Sequence, residues 1–216
     1  MKKILIILML FLVFCNISCT RQDVYDTGIS SPYFDGTIMD YLRSDDYNWQ
    51  LTVEMIEHAG LTDLFEGKVD TCPEITFWGV KSHVIQRYLL HSKNGNITGE
   101  KYATIKEMPA KLCRDYILRY VTKGKFLKED IAYRNPEFLI GAPEQDGGSD
   151  FTCLAGNKVR AYLEKREWNG IPDVGPVIMS LFSLTIGLEV GMDTPDILPR
   201  NGVVHAVSYD HILGKI

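Results

Sequence analysis

Apolar and polar positions change their spacing several times along this chain, and each change marks an element. Residues 4–14 form an unbroken apolar run behind Lys2 and Lys3. The run is too short for a bilayer, which takes about 20 residues to span, and it reads as the core of a secretory signal. Over 36–59, Ile38, Met39 and Leu42 and then Met55, Ile56 and Ala59 recur at helical spacing, with Gly60 as the stop. Residues 61–65 add one helical turn before Gly67. Residues 74–78 alternate as a strand does, and Val80, Val84, Ile85, Tyr88 and Leu89 return at once to the helical period. His83 falls off that stripe and is expected to face solvent. A polar stretch with two glycines, 93–104, predicts an exposed loop. It contains Asn96-Ile97-Thr98, a glycosylation-type triplet that carries no weight on its own. Residues 107–121 predict an amphipathic helix, with Met108, Leu112, Tyr116 and Tyr120 four apart, Pro109 in the first turn and Gly124 past the end.

Beyond residue 140 the pattern turns to strands. An acidic, glycine-rich loop over 141–150 precedes two predicted strands, 151–156 and 159–163, and a third is expected over 165–168 before the Asn169-Gly170 turn. The run 177–190 is mostly apolar but too short to cross a membrane, so a buried or edge strand pair is expected. Any part of it left exposed is a natural interaction patch. Last come the Asn201-Gly202 turn and a strand over 203–207. By the period-2 rule Val203, His205 and Val207 share one face. His205 therefore sits in an apolar row, which suits a core histidine with one backbone partner better than a ligand or a base.

Composition narrows the function classes. The chain has 216 residues, 45% of them hydrophobic, which is enough for one sizeable core. Its net charge is −5 and no basic block occurs, which argues against nucleic acid or an anionic membrane face as partner. Apart from Cys15 and Cys19 there are only Cys72, Cys113 and Cys153, none closely spaced, so at most one disulfide can form. Zinc spacings, a phosphate loop and a nucleophile elbow are all missing from the sequence, and Asp146-Gly-Gly-Ser-Asp150 lacks the rest of a calcium loop. His205 alternates away from Ser208 and Asp210, so those three do not converge as a triad. No catalytic, cofactor or metal residue is nominated.

Several segments taken in order resemble fasciclin domains. Asn201-Gly-Val-Val-His205 is similar to the second signature segment of that family, and Thr194-Pro-Asp-Ile-Leu198 to a Pro-Asp-Ile element of its animal members. The helices and the Gly60-Leu-Thr-Asp-Leu-Phe65 turn resemble the family's opening. Ile75-Thr-Phe-Trp-Gly79 resembles the first signature, with Gly79 where proline is usual and Lys81 in place of an acid. Residues 117–126 line up with the central segment, in which Arg119-Tyr120 stands where the family has Tyr-His. Leu127-Lys-Glu-Asp-Ile131 resembles the helical turn that follows. The resemblance implies an α+β fold, a fasciclin-like β-wedge with helices from the N-terminal half packed on it. It also implies an adhesion or interaction module whose contacts include Pro195, Asp196, Ile197, Arg119 and Tyr120. Read from the residues alone, Asp196 beside a proline suits a turn and Tyr120 on the apolar stripe suits the core.

The N-terminus sets the expected location. Asn16-Ile-Ser-Cys19 resembles a relaxed lipobox of Gram-negative lipoproteins, which makes Cys19 the acylated first residue of the mature protein. The expected organisation is a signal peptide over 1–18, a tether over 19–33 and a fasciclin-like domain over 34–216. Thr20 after the cysteine favours the outer membrane, at the cell surface or on the periplasmic face. The function expected is that of an envelope lipoprotein binding another protein or a glycan. The alternative is an accessory subunit of an outer-membrane nutrient-uptake complex of the starch-utilisation type, with Tyr33, Trp49 and Trp168 as loop aromatics facing a sugar or the transporter.

Overall fold

Thr37 opens the first helix with a reciprocal cap. Its hydroxyl accepts the Asp40 N–H, and the Asp40 carboxylate accepts the Thr37 N–H. In the computed structural model, which describes residues 31–94 and 101–216, this starts α1, Ile38–Arg43. Asp45 caps α2, Asp46–His58, so the helical stretch over 36–59 is two helices with a break at Ser44. A one-turn α3, Thr62–Phe65, lies between Gly60 and Gly67, both at positive φ. The signal run, Cys19 and most of the tether, and Asn96–Thr98 lie outside the described residues.

Strand β1, Ile75–Gly79, is buried throughout and leads into α4, Ser82–Lys93. The helix expected over 107–121 is shorter: a 3-10 turn at Ile105–Glu107, then α5, Ala110–Leu118, with Pro109 at the N-cap. Val121, expected as the last residue of that helix, instead starts a strand, β2, Val121–Lys123. The second half adds β3 (Ser149–Thr152), β4 (Lys158–Lys165), β5 (Val177–Ser183), β6 (Leu188–Ile197) and β7 (Gly202–Val207). One strand expectation changes, and one is met in the buried of its two forms. Residues 165–168 are no third strand but the continuation of β4 into a long hairpin, closed by the Trp168–Ile171 bridge. The run 177–190 is a strand pair, and both of its strands lie inside the sheet rather than at an edge.

The seven strands run in the order β2-β1-β7-β6-β5-β4-β3. Only β1 and β7 pair in parallel; all other neighbours are antiparallel. The two ends of the sheet meet, because Thr122 bridges Cys153 just past β3 and the Leu154 N–H donates to the Val121 carbonyl at 2.8 Å. A nearly closed sheet leaves little edge for another strand to join.

Alternation along β1 divides the core in two. Phe77 faces the helices, edge-on to Phe65 at 4.9 Å and tilted against Trp49. Trp78 faces the sheet interior, stacked on His205 and tilted against Phe151, which also packs on Phe126. Trp49, expected in a loop, is instead buried in α2, since its ring fills the space above Gly79. A Cβ at Gly79 would lie 2.8 Å from that ring, which accounts for glycine at this position. The architecture is α+β, with the helices on one face of a strongly curved sheet.

Candidate functional site

The Pro195-Asp196-Ile197 element ends β6 in a bulge, where pairing with β7 shifts register between Thr194 and Ile197. Asp196 sits at φ 59°, a conformation that short polar side chains tolerate. Its carboxylate accepts the Lys128 N–H at 2.8 Å, and its own N–H donates to His205 Nδ1 at 3.1 Å. On the other side of the ring, Nε2 donates to the Phe126 carbonyl at 2.9 Å. One ring nitrogen accepts and the other donates, so His205 is neutral with its proton on Nε2. Burial pushes its pKa below the ordinary histidine value in the same sense. Trp78 stacks on the ring at 5.0 Å and 20°, with its indole N–H held by the Thr122 hydroxyl. His205 is thus a core residue with two backbone partners, one more than the pattern suggested. It fastens the β6 bulge to the segment after β2. Asp196 is a turn former whose carboxylate remains partly open to solvent, with Pro195 and Ile197 half-buried beside it.

Arg119 and Tyr120 follow α5 and belong to a second network. Tyr120 is completely buried, so it presents no surface to a partner, contrary to its nomination as a contact. Its hydroxyl accepts the Gly214 N–H at 2.7 Å, which directs its proton to His211 Nε2, also at 2.7 Å. Arg119 caps the helix, packs over the Tyr116 ring and donates to the Gly214 carbonyl at 2.8 Å. Arg87 donates to the His211 carbonyl from α4. Burial, helped by the Arg87 charge, lowers the His211 pKa to about 4. Both nominated segments therefore hold the fold together, and they do not meet in one site: Pro195–Ile197 is pinned at the end of β6, and Arg119 and Tyr120 pin residues 208–216.

Other side chains were placed differently from expectation. His83 is half-buried beside Tyr209 rather than solvated, and burial lowers its pKa. Cys72, Cys113 and Cys153 are free and buried, and burial raises the last two thiols to about 11. Among the described residues no group of three or more His, Cys, Asp or Glu side chains is placed to hold a metal ion.

Apolar side chains face solvent at both ends of the sheet, as they do elsewhere on the surface at Tyr47, Leu90 and Leu139. At the β5–β6 tip, Leu184, Ile186 and Leu188 are exposed, within the apolar run marked beforehand as a potential patch. At the opposite hairpin, between β4 and β5, Trp168, Ile171 and Val174 are more than half exposed, and Tyr133 lies at the hairpin's foot. There a cleft of about 400 Å³ opens between Tyr133, Arg134 and Pro136 on one side and Leu163, Glu164, Lys165 and Asp173 on the other. Trp168 carried a sequence signal as a loop aromatic. Tyr133, Arg134 and Glu164 carried none, because they meet only through the Tyr133–Leu163 bridge.

No family model matches this sequence, and no curated protein matches it in sequence either. Solved structures do match in shape. A FAS1 domain pair from the insect cell adhesion molecule fasciclin I superimposes with a TM-score of 0.51 at 14% identity, over 80% of this chain. The match takes up 49% of that chain, so the present sequence spans about half its length. Helices on one face of a nearly closed, seven-stranded sheet thus define an α+β, fasciclin-like fold.

Proposed function

We propose that this protein is a cell-envelope lipoprotein whose fasciclin-like domain is a non-catalytic interaction module, binding another protein or a glycan at the cell surface. The observation that carries this reading is the fold shared with a domain pair from a cell adhesion molecule. Two further features support it. The leader and Cys19 supply a lipid anchor by resemblance. The polar groups buried in the sheet are engaged with backbone, as at His205, while aromatic and aliphatic side chains face outward at both hairpin ends.

Cross-linking intact cells, extracting in mild detergent and identifying the co-purifying molecules by mass spectrometry tests the proposal. A partner at stoichiometric level that is lost when Cys19→Ala releases the protein from the membrane is the expected result. If that partner is a β-barrel transporter with its own lipoprotein lid, the module is the uptake accessory. A chain that lacks acylation and copurifies with nothing would sink both readings.

A further inference from the structure

We infer that the cleft at the foot of the β4–β5 hairpin is a binding site for a neutral carbohydrate chain, with Tyr133 as its stacking platform. This rests on the interaction-module reading above and assigns its contact surface. Backbone geometry comes first. The Leu163 N–H donates to the Ala132 carbonyl at 3.1 Å, and its carbonyl accepts the Arg134 N–H at 3.0 Å. The Tyr133 carbonyl is taken by the Gly148 N–H at 3.0 Å. The main chain of the Tyr133–Leu163 bridge is therefore spent, and a peptide finds no run of free backbone groups along it to pair with as an added strand. What remains available is side chain.

The segment behind Tyr133 is braced from within. Gln145, buried, accepts the Asn135 and Gly147 N–H groups and donates to the Asn135 and Phe138 carbonyls. A Cβ on Gly147 would lie 2.3 Å from the Asn135 nitrogen, so only glycine lets the two backbone segments close. Tyr133, half exposed, is thus an aromatic ring on a rigid loop, and a platform that is ordered before binding costs a ligand less entropy.

The polar lining is balanced. Glu164 is held by Arg134 Nε at 2.9 Å and by Arg166 Nε at 3.3 Å. A carboxylate can occupy at most two of the five N–H donors of a guanidinium, so Arg134 keeps donors for a ligand. Among the described residues neither the Lys165 ammonium nor the Asp173 carboxylate has a side-chain partner. The cleft therefore offers two cations and two anions around Tyr133, Pro136 and Leu163. An anionic ligand meets two carboxylates, and a cationic one meets two bases. A hydroxyl both donates and accepts, so a polyhydroxylated, uncharged ring satisfies both kinds of group while its C–H face covers tyrosine and proline. The size fits a few sugar rings. Beyond the lip, the Asn169-Gly170 turn, with both residues at positive φ, holds Trp168 and Ile171 exposed as a second apolar contact along the same hairpin.

Affinity electrophoresis of the full, detergent-solubilised protein through gels containing single polysaccharides reads this directly. The probes are neutral α-glucan, β-glucan, xylan, mannan, galactan and fructan, with polygalacturonate and heparin as anionic counterparts. At least one neutral polymer should retard the protein. Tyr133→Ala and Asp173→Gly, both at exposed positions, the second keeping the positive φ of that residue, should each weaken that retardation about tenfold or more, with melting temperature unchanged. Ile186→Ser at the opposite end should leave it as in the parent. Retardation by no neutral polymer, by the anionic ones alone, or to the same degree in both cleft variants overturns the assignment. Repeating the cellular pull-down with Tyr133→Ala separates the two proposals. A protein partner retained by a variant and parent that bind no glycan leaves the interaction module standing and removes only the cleft. A parent protein that is retarded by no glycan and recovers no partner removes both.

Discussion

Asn201 does more than turn the chain. Its side-chain oxygen accepts the Ile38 N–H at 2.7 Å, one of the unpaired donors in the first turn of α1, and its amide donates to the Phe65 carbonyl at 3.0 Å. One side chain thus closes the ends of two helices onto the start of β7. Gly202 follows at φ 154°, where a Cβ would collide with the Ile75 carbonyl at 1.9 Å. Asn201→Ala leaves a donor and an acceptor without partners. It should cost about 2–3 kcal/mol in urea unfolding, since each unsatisfied buried group costs about 1–3 kcal/mol. A loss under half a kcal/mol would show that water replaces both bonds. The Asn-Gly pair was legible as a turn because both residues favour positive φ. Its capping of α1 was not, because the partners lie 163 positions apart in the chain.

At the scale of elements, the decisive contact is between α2 and β1. Trp49 and Gly79 are a matched pair, with the indole lying where a β-carbon would otherwise stand. Gly79→Ala should destabilise the protein by about 1–3 kcal/mol, as overpacking of a filled core does. Shortening the ring with Trp49→Phe should recover part of that loss, so the two changes couple in a double-mutant cycle. Strictly additive effects in that cycle would mean that α2 moves aside freely. Helical and strand periods gave most of these elements, because 3.6-residue and two-residue repeats are local properties. They failed at β2, where the apolar stripe of α5 runs on into Tyr120 and Val121 although the chain has already become extended. They failed also at 165–168, where one long hairpin reads as a separate strand.

Across the whole molecule, two buried neutral histidines tie distant parts together, and both make stability depend on pH. Burial lowers the pKa of each, that of His211 to about 4 with Arg87 adding to the effect and Asp210 opposing it. In the unfolded chain a histidine titrates near about 6.5. Between about pH 6.5 and 4 the unfolded state therefore binds more protons than the folded one, and stability falls as pH falls. The contribution of His211 is complete above about pH 6.5, and its loss levels off below about pH 4. The full difference is about 3 kcal/mol at about 1.4 kcal/mol per pKa unit. Urea midpoints between pH 7.5 and 4 should drop steeply for the parent and more shallowly for His211→Gln. Parallel curves would place the titrating group elsewhere.

The α+β class came from the resemblance to fasciclin domains; the sequence by itself determined the order of most elements, the final Asn-Gly turn and strand, and the burial of His205. These follow from short-range periodicity, from glycine's conformational freedom and from the cost of exposing apolar residues. Tertiary structure alone decided the parallel pairing of β1 with β7, the near closure of the sheet through Thr122 and Cys153, and the burial of Tyr120 beneath residues 208–216. It also brought Tyr133, Glu164 and Asp173 to one cleft. Each of these depends on which polar group, far away along the chain, satisfies a given donor or acceptor once water is gone. That pairing is settled only when the whole chain packs.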